Sequence, residues 1–225
     1  MKTVSKLVLL MMGLFSCSVG LLLAIHSQLG SSPWDTFQIG LAMRTGLSLG
    51  RVSQIVGAVI ILIDIAIGQA PGKGTMLNVY FVGFFIDLIE NHSLIPDGQS
   101  LFGKIIMLLL GILAVSWGTF FYVNAGWGAG PRDGLMLGLS KLFSTEVWKA
   151  RTAIEVCVAA AGLALGARLG VGTVILAVLV GPAVQIAYRI GGVDPKAITH
   201  KSLLDDYRAI VALGKRSSRS TGLSG

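Results

Sequence analysis

Apolar residues fall in long runs along this chain, separated by short stretches rich in glycine, proline and charge. Six runs are long enough to cross a bilayer, at approximately Leu7–Ile25, Val52–Gly68, Thr75–Ile89, Ile105–Val123, Thr152–Leu169 and Val171–Ile190. Each predicts a helix, because hydrocarbon holds no water to satisfy an open backbone. The second, third and fifth are short or interrupted by polar residues. The first follows Lys2 and Lys6, as in a signal peptide, but extends too far for a removable segment and is read as a retained span.

Composition points the same way. Apolar residues make up 53% of the 225 positions and charged residues only 13%, where a soluble domain carries about a quarter charged residues. Mean hydropathy is +0.77. The formal charge of +7 does not mark a nucleic-acid binder, since no recognition module accompanies it and seven of the eighteen Lys and Arg lie from Arg189 onward. Cys17 and Cys157 fall in apolar runs without metal-ligand spacing and read as small buried residues.

The remaining basic residues set an orientation. Six spans put both ends on one side. Lys2, Lys6, Lys73, Arg132, Lys141, Lys149, Arg151 and the tail would be cytoplasmic; Arg44, Arg51, Lys104 and Arg168 would face the other side with Glu90 and Asp97. Trp34, Trp117, Trp127 and Trp148 lie near span ends, where indole rings favour the headgroup level. The expected division is a transmembrane domain over residues 1–193 and a basic cytoplasmic tail over 194–225. Within the tail, His200–Gly214 suggests a short amphipathic helix.

The chain also repeats itself, without gaps, at an offset of 98 residues. Eight glycines (13, 20, 30, 40, 68, 72, 74 and 83) fall on glycines at 111, 118, 128, 138, 166, 170, 172 and 181; chance would give roughly one or two such matches. Pro33, Asp35 and Thr75 likewise fall on Pro131, Asp133 and Thr173. Repeat 1 spans about 6–90 and repeat 2 about 104–188. Three spans per repeat is an odd number, so the expected fold is all-α with about six transmembrane helices in two inverted three-helix repeats.

Between the first and second spans of each repeat lies the same motif. Gly30-Ser31-Ser32-Pro33-Trp34-Asp35 recurs as Gly128-Ala129-Gly130-Pro131-Arg132-Asp133, and an apolar stretch follows in both copies. Proline at the first helical position with an acid two residues later starts a helix, and Ser32 with Asp35 has the spacing of a capping pair. Each repeat thus carries an extra short helix, either interfacial or re-entrant. Re-entrant half-helices would point two N-termini, each partly positive, at one site. Asp35, Arg132, Asp133 and Trp34 are then candidate substrate-binding residues suited to an anionic solute; otherwise the two aspartates are plain helix caps. Asp64, a carboxylate deep within an apolar run, is a fifth candidate, for substrate, ion passage or structural pairing.

A second shared element, Gly68–Thr75 and Gly166–Thr173, reads as a glycine-supported turn. Gly74, Thr75, Gly172 and Thr173 are structural residues there, with the threonines capping the next helix. Pro33 and Pro131 are structural in the same sense. Gly162, Gly166 and Gly170 form a small-residue stripe suited to packing. No nucleophile–base pair, metal cluster or cofactor motif is evident, so neither an enzyme nor a metal or cofactor site is expected.

The Pro33-Trp34-Asp35 and Pro131-Arg132-Asp133 motifs, with the Gly74-Thr75 and Gly172-Thr173 turns, resemble the YczE/YitT-like family of bacterial membrane proteins over about Lys6 to Ile190. The resemblance implies a bacterial cytoplasmic (inner) membrane location and brings no settled activity or catalytic residues. The expected function is a small secondary transporter or permease for an unknown small solute, embedded in the lipid bilayer, with homodimerisation to compensate for its size. The alternative is a non-transporting scaffold, assembly factor or regulator that docks a partner through its tail.

Overall fold

The computed structural model describes residues 3–128 and 130–193; among them are eight helices and no strand. The tail, including the amphipathic segment expected at 200–214, lies outside the described residues. The helices are α1 (Thr3–His26), α2 (Pro33–Thr45), α3 (Leu49–Ala66), α4 (Lys73–Asn91), α5 (Leu101–Asn124), α6 (Pro131–Leu142), α7 (Val147–Ala164) and α8 (Val171–Ile190). Four of them, α1, α3, α5 and α8, are long and apolar enough to cross a membrane. The other two long helices carry more charge, α4 with Asp87 and Glu90 and α7 with Lys149, Arg151 and Glu155.

Most expected spans match a helix closely, and α8 does so residue for residue. The fifth does not. Expected at Thr152–Leu169, the helix runs from Val147 to Ala164, five residues earlier at each end. Arg151 looked like a boundary, but it lies inside the helix and pairs with Glu155 one turn on, at 2.9 Å. The chain then turns at Gly166, whose φ is +103°, so Gly162, Gly166 and Gly170 do not form a stripe on one helix. The two extra helices form where the proline motifs predicted them, as α2 and α6.

α1 and α5 form the central contact. They cross antiparallel through glycines: a Cβ on Gly13 would lie 2.7 Å from the Gly118 carbonyl oxygen, and one on Gly20 would lie 2.7 Å from that of Gly111. Those two contacts exchange under the 98-residue offset. The loops before the half-helices behave likewise. Gly172 N–H donates to Leu29 C=O at 2.7 Å, and Gly74 N–H donates to Trp127 C=O at 2.7 Å. Beside them Gly30 and Gly128 adopt φ of +127° and +125°, a region that side chains rarely enter. Each loop therefore docks on the last helix of the opposite half, and only glycine fits its corner.

The buried clusters repeat as well. Leu10, Leu14 and Tyr122 pack together at one end of the α1–α5 pair, and Leu108, Ile112 and Ala24 at the other. A third cluster, around Trp34, Val52, Val56, Ile60 and Leu135, joins α2, α3 and α6. Outside, large apolar side chains are bare: Val171, Val174 and Val178 of α8 are 73%, 65% and 62% exposed. Such a face is costly in water and suits hydrocarbon.

Candidate functional site

α2 and α6 begin inside the protein rather than at its surface. Pro33 and Pro131 occupy their first positions, where no N–H is needed. At α2 the expected capping pair forms: Ser32 Oγ accepts from Asp35 N–H at 3.3 Å and its hydroxyl donates to Asp35 Oδ2 at 2.6 Å. At α6 the cap position is Gly130, which has no side chain to offer.

The two first turns face each other across a cavity of about 280 Å3. Trp34, Asp35, Arg132 and Asp133 all line it. An Arg132 Nη lies 3.6 Å from Asp35 Oδ1, an ion pair too long for a hydrogen bond. The guanidinium also lies 5.2 Å from the centre of the Trp34 ring, within cation–π range. Asp133 Oδ2 accepts from the Tyr122 hydroxyl at 3.3 Å. Asp133 keeps an exposed surface although it lies among the central helices, because it borders the cavity space. Trp34, expected at headgroup level, is instead 6% exposed and part of the interior. Its place after a proline made it look like a span-end residue, whereas α2 turns inward.

Asp64 is not brought to this cavity. It is buried on α3, behind α6, where a Cβ on Gly134 would lie 2.7 Å from its Oδ2. The offset partner of this contact is Gly162 on α7, packed against the Thr36 carbonyl of α2. Each crossing thus has one glycine, on opposite members of the pair.

Most other lining residues also come in offset pairs, with different chemistry in each half. By offset Gln38 corresponds to Met136, Ser53 to Arg151, Gly57 to Glu155, Asn78 to Leu176 and Ala24 to Tyr122. Gln38 was legible in principle, because it follows Trp34 by four residues and shares its helical face. Tyr122 was not, since the tertiary crossing of α5 alone delivers it. Cys17 lines the cavity half-buried, and Cys157 is exposed. Their expected burial fails for Cys157, because its side of α7 faces outward.

Three buried polar atoms on α2 lack a hydrogen-bond partner: Trp34 Nε1, Asp35 Oδ1 and Gln38 Oε1; Asp64 Oδ1 lacks one on α3. Buried polar groups usually find partners, and three without one within about one turn set the start of α2 apart.

The cavity's two ends differ. At one, α3 and α4 close on each other. Gly50 and Gly83 meet backbone to backbone, Asp87 accepts from Ser48 Oγ and Gly50 N–H at 2.7 and 2.8 Å, and Gln54 Nε2 donates to Tyr80 C=O at 2.9 Å. Asp87 on α4 thus caps the start of the neighbouring α3.

At the other end α7 and α8 hardly touch. Trp148 stands where Gly50 does in the first half, and Gly181 meets nothing within 4 Å. Glu146 bonds within its own segment, to Lys149 and Trp148. The Lys149 ammonium, with help from the Trp148 N–H, holds its carboxyl below the usual range.

Thr75 and Thr173 do cap their helices, but from inside the first turn. Thr75 Oγ1 accepts from Gly72 N–H at 3.1 Å and Thr173 Oγ1 from Gly170 N–H at 3.3 Å. Elsewhere, His26 lies between Glu90 and Asp97, 2.9 and 2.7 Å from its two ring nitrogens. These three bind the end of α1 to the end of α4 and the loop beyond. No metal-binding group of three such residues occurs among the described residues.

A helical chain with four helices long and apolar enough to cross a bilayer and large apolar side chains bare on its exterior is an integral membrane protein. Its particular family follows from comparison: the chain matches the family of unknown function DUF6198 over residues 4–189, and it belongs to that family. It is 35% identical to the Bacillus subtilis (strain 168) uncharacterized membrane protein YczE over 171 residues, 75% of this chain and 79% of that one. It is 32% identical over 189 residues to an uncharacterized protein of Haemophilus influenzae Rd, covering 84% of each. A second B. subtilis protein, YyaS, is 24% identical over 179 residues, 77% of this chain and 88% of the relative. The YczE-like resemblance read from the proline motifs therefore holds. No solved structure matches the chain.

Proposed function

We propose that the protein is a small secondary transporter of the bacterial cytoplasmic membrane, caught open to the cytoplasm. One observation carries this reading: two offset-related halves enclose a cavity that holds the charged side chains of Asp35, Arg132 and Asp133, yet one closes its end and the other does not. Exchanging those two conformations between the halves would close the α7–α8 end and open the α3–α4 end, which is alternating access.

The topology follows as part of the proposal. α1, α3, α4, α5, α7 and α8 cross the bilayer, while α2 and α6 are re-entrant. α4 and α7 cross despite their charges because Asp87 caps α3, Arg151 pairs with Glu155 at the cavity, and the rest lie near helix ends. The antiparallel α1–α5 crossing and the reciprocal contacts support inverted repeats. The basic bias of the sequence puts the N-terminus, and with it the open α7–α8 end, in the cytoplasm. α8 also carries Pro182 beside Gly181, which removes a helix hydrogen bond at a point where bending would move its C-terminal half.

A cysteine at Asn78, on the cavity wall, tests this in a Cys17→Ser, Cys157→Ser background. Membrane-impermeant maleimide should modify it in both right-side-out and inverted vesicles, faster in the inverted ones. Modification from one side only would sink the alternating-access reading. The scaffold alternative drew on the basic tail, which lies outside the described residues, and no feature among the described residues favours it.

A further inference from the structure

We infer that the cavity selects small zwitterions, with an acid and an ammonium group a few bonds apart as in free amino acids, an inference that rests on the transport reading for the fate of the bound solute. The ground is the inventory of unused polar groups around the Arg132–Asp35 pair.

On the donor side, Arg132 makes no hydrogen bond among the described residues; its contacts are the Trp34 ring face at 5.2 Å and Asp35 Oδ1 at 3.6 Å. The Trp34 indole N–H also has no acceptor. On the acceptor side, Asp35 Oδ1 and Gln38 Oε1 have no donor. Trp34, Asp35 and Gln38 are 6%, 6% and 2% exposed, so these groups are held inside the protein at the cavity wall. They lie within about one turn of α2, some 6 Å of rise, which confines both kinds of unused group to a small volume.

A carboxylate matches the planar fork of Arg132 and can also accept from Trp34. An anion alone, as first expected from the two helix N-termini, would leave its charge facing Asp35 and Asp133. A cation alone would satisfy Asp35 and Gln38 but face Arg132. A molecule with both charges satisfies both sets and leaves the site's net charge unchanged. Arg132 lies against both Trp34 and Asp35, so a carboxylate that draws the guanidinium away uncovers Asp35 Oδ1 for the ammonium. The long 3.6 Å pair is thus a placeholder that the ligand replaces.

The test is a thermal-shift measurement on the full chain in detergent, with each of the twenty free amino acids as probe. For any that stabilises, the matched carboxylic acid without the amine and the matched amine without the acid are then measured. At least one amino acid should raise the melting temperature, with both single-charge analogues at least tenfold weaker. Gln38→Met, which copies the second-half residue Met136, should weaken that amino acid severalfold while the apo melting temperature holds; Arg132→Gln should weaken it more. No stabilisation across the panel, or an amine-free acid that binds equally well, overturns the inference. Failure of the transport reading looks different: amino-acid binding without uptake into proteoliposomes leaves zwitterion selection standing and removes transport. Two-sided labelling of the cavity without amino-acid binding does the reverse.

Discussion

The two halves of this chain share a backbone plan and diverge where they meet the cavity. In the first half, glycines at 50 and 83 and a carboxylate at 87 let α3 and α4 close; the second half has Trp148, Gly181 and Gln185 at those places, and α7 and α8 stand apart. At the two half-helix starts the pattern differs again. α2 presents a capped first turn with Trp34 and Asp35, and α6 an uncapped one with Arg132 and Asp133. The offset-related halves match in many glycines, and unlike side chains at 50/148 and 87/185 go with a closed α3–α4 end and a separated α7–α8 end.

The sharpest way to break that comparison is to place the same side chain at both copies of one glycine. Gly83→Leu drives a side chain into the Gly50 backbone and Gln54. It should cost about 3 kcal/mol, at the upper end for overpacking, or prevent accumulation of folded protein. Gly181→Leu enters open space and should change stability by less than about 0.5 kcal/mol. Thermal unfolding of both variants in detergent decides it. Equal losses would mean that α7 and α8 are in fact packed, and the asymmetry would disappear.

A smaller effect is expected at the carboxylate that fastens the closed end. Asp87→Ala removes acceptors from the Ser48 hydroxyl and the Gly50 N–H at the start of α3, at a cost of about 2 kcal/mol. Its counterpart Gln185 is exposed, and Gln185→Ala should cost less than about 0.5 kcal/mol. In vesicles, Asp87→Ala should also speed maleimide modification of a cysteine at Asn78 from the side that the α3–α4 end faces. Stability loss without that gain would make Asp87 a cap and nothing more.

Much of the frame was readable before any coordinates. Pro33 and Pro131 marked two helix starts because proline there forgoes no hydrogen bond, and Ser32 with Asp35 formed the pair that their spacing implied. Offset glycines 13/111, 20/118 and 74/172 proved to be contacts between halves, since close backbone approach demands them at both copies, whereas 68/166 and 83/181 did not. What escaped reading depended on helix phase and on tertiary crossing. Asp64 looked like a cavity carboxylate from its apolar surroundings, but its position on α3 turns it toward Gly134. Trp34 looked interfacial because nothing in one dimension says that α2 dives inward. His26 had no sequence neighbours at ligand spacing, yet folding puts Glu90 and Asp97 on its two ring nitrogens.

The smallest effect concerns the caps of the half-helices, and it tests the comparison through opposite signs. Ser32→Ala deletes the side-chain acceptor for Asp35 N–H and should cost about 1 kcal/mol. Gly130 has φ −61° and ψ 153°, nearly the −60° and 158° of Ser32, so a serine fits its backbone without strain. The nearest atoms to a Cβ there are Asp133 Oδ2 at 3.2 Å and the Tyr122 hydroxyl at 3.3 Å, both able to bond a hydroxyl. Gly130→Ser should therefore add the missing cap and raise stability by a few tenths of a kcal/mol. A loss there instead would mean that the bare glycine keeps room beside Asp133 that the cavity needs. The uncapped start of α6 would then be part of the site, rather than a cap the second half happens to lack.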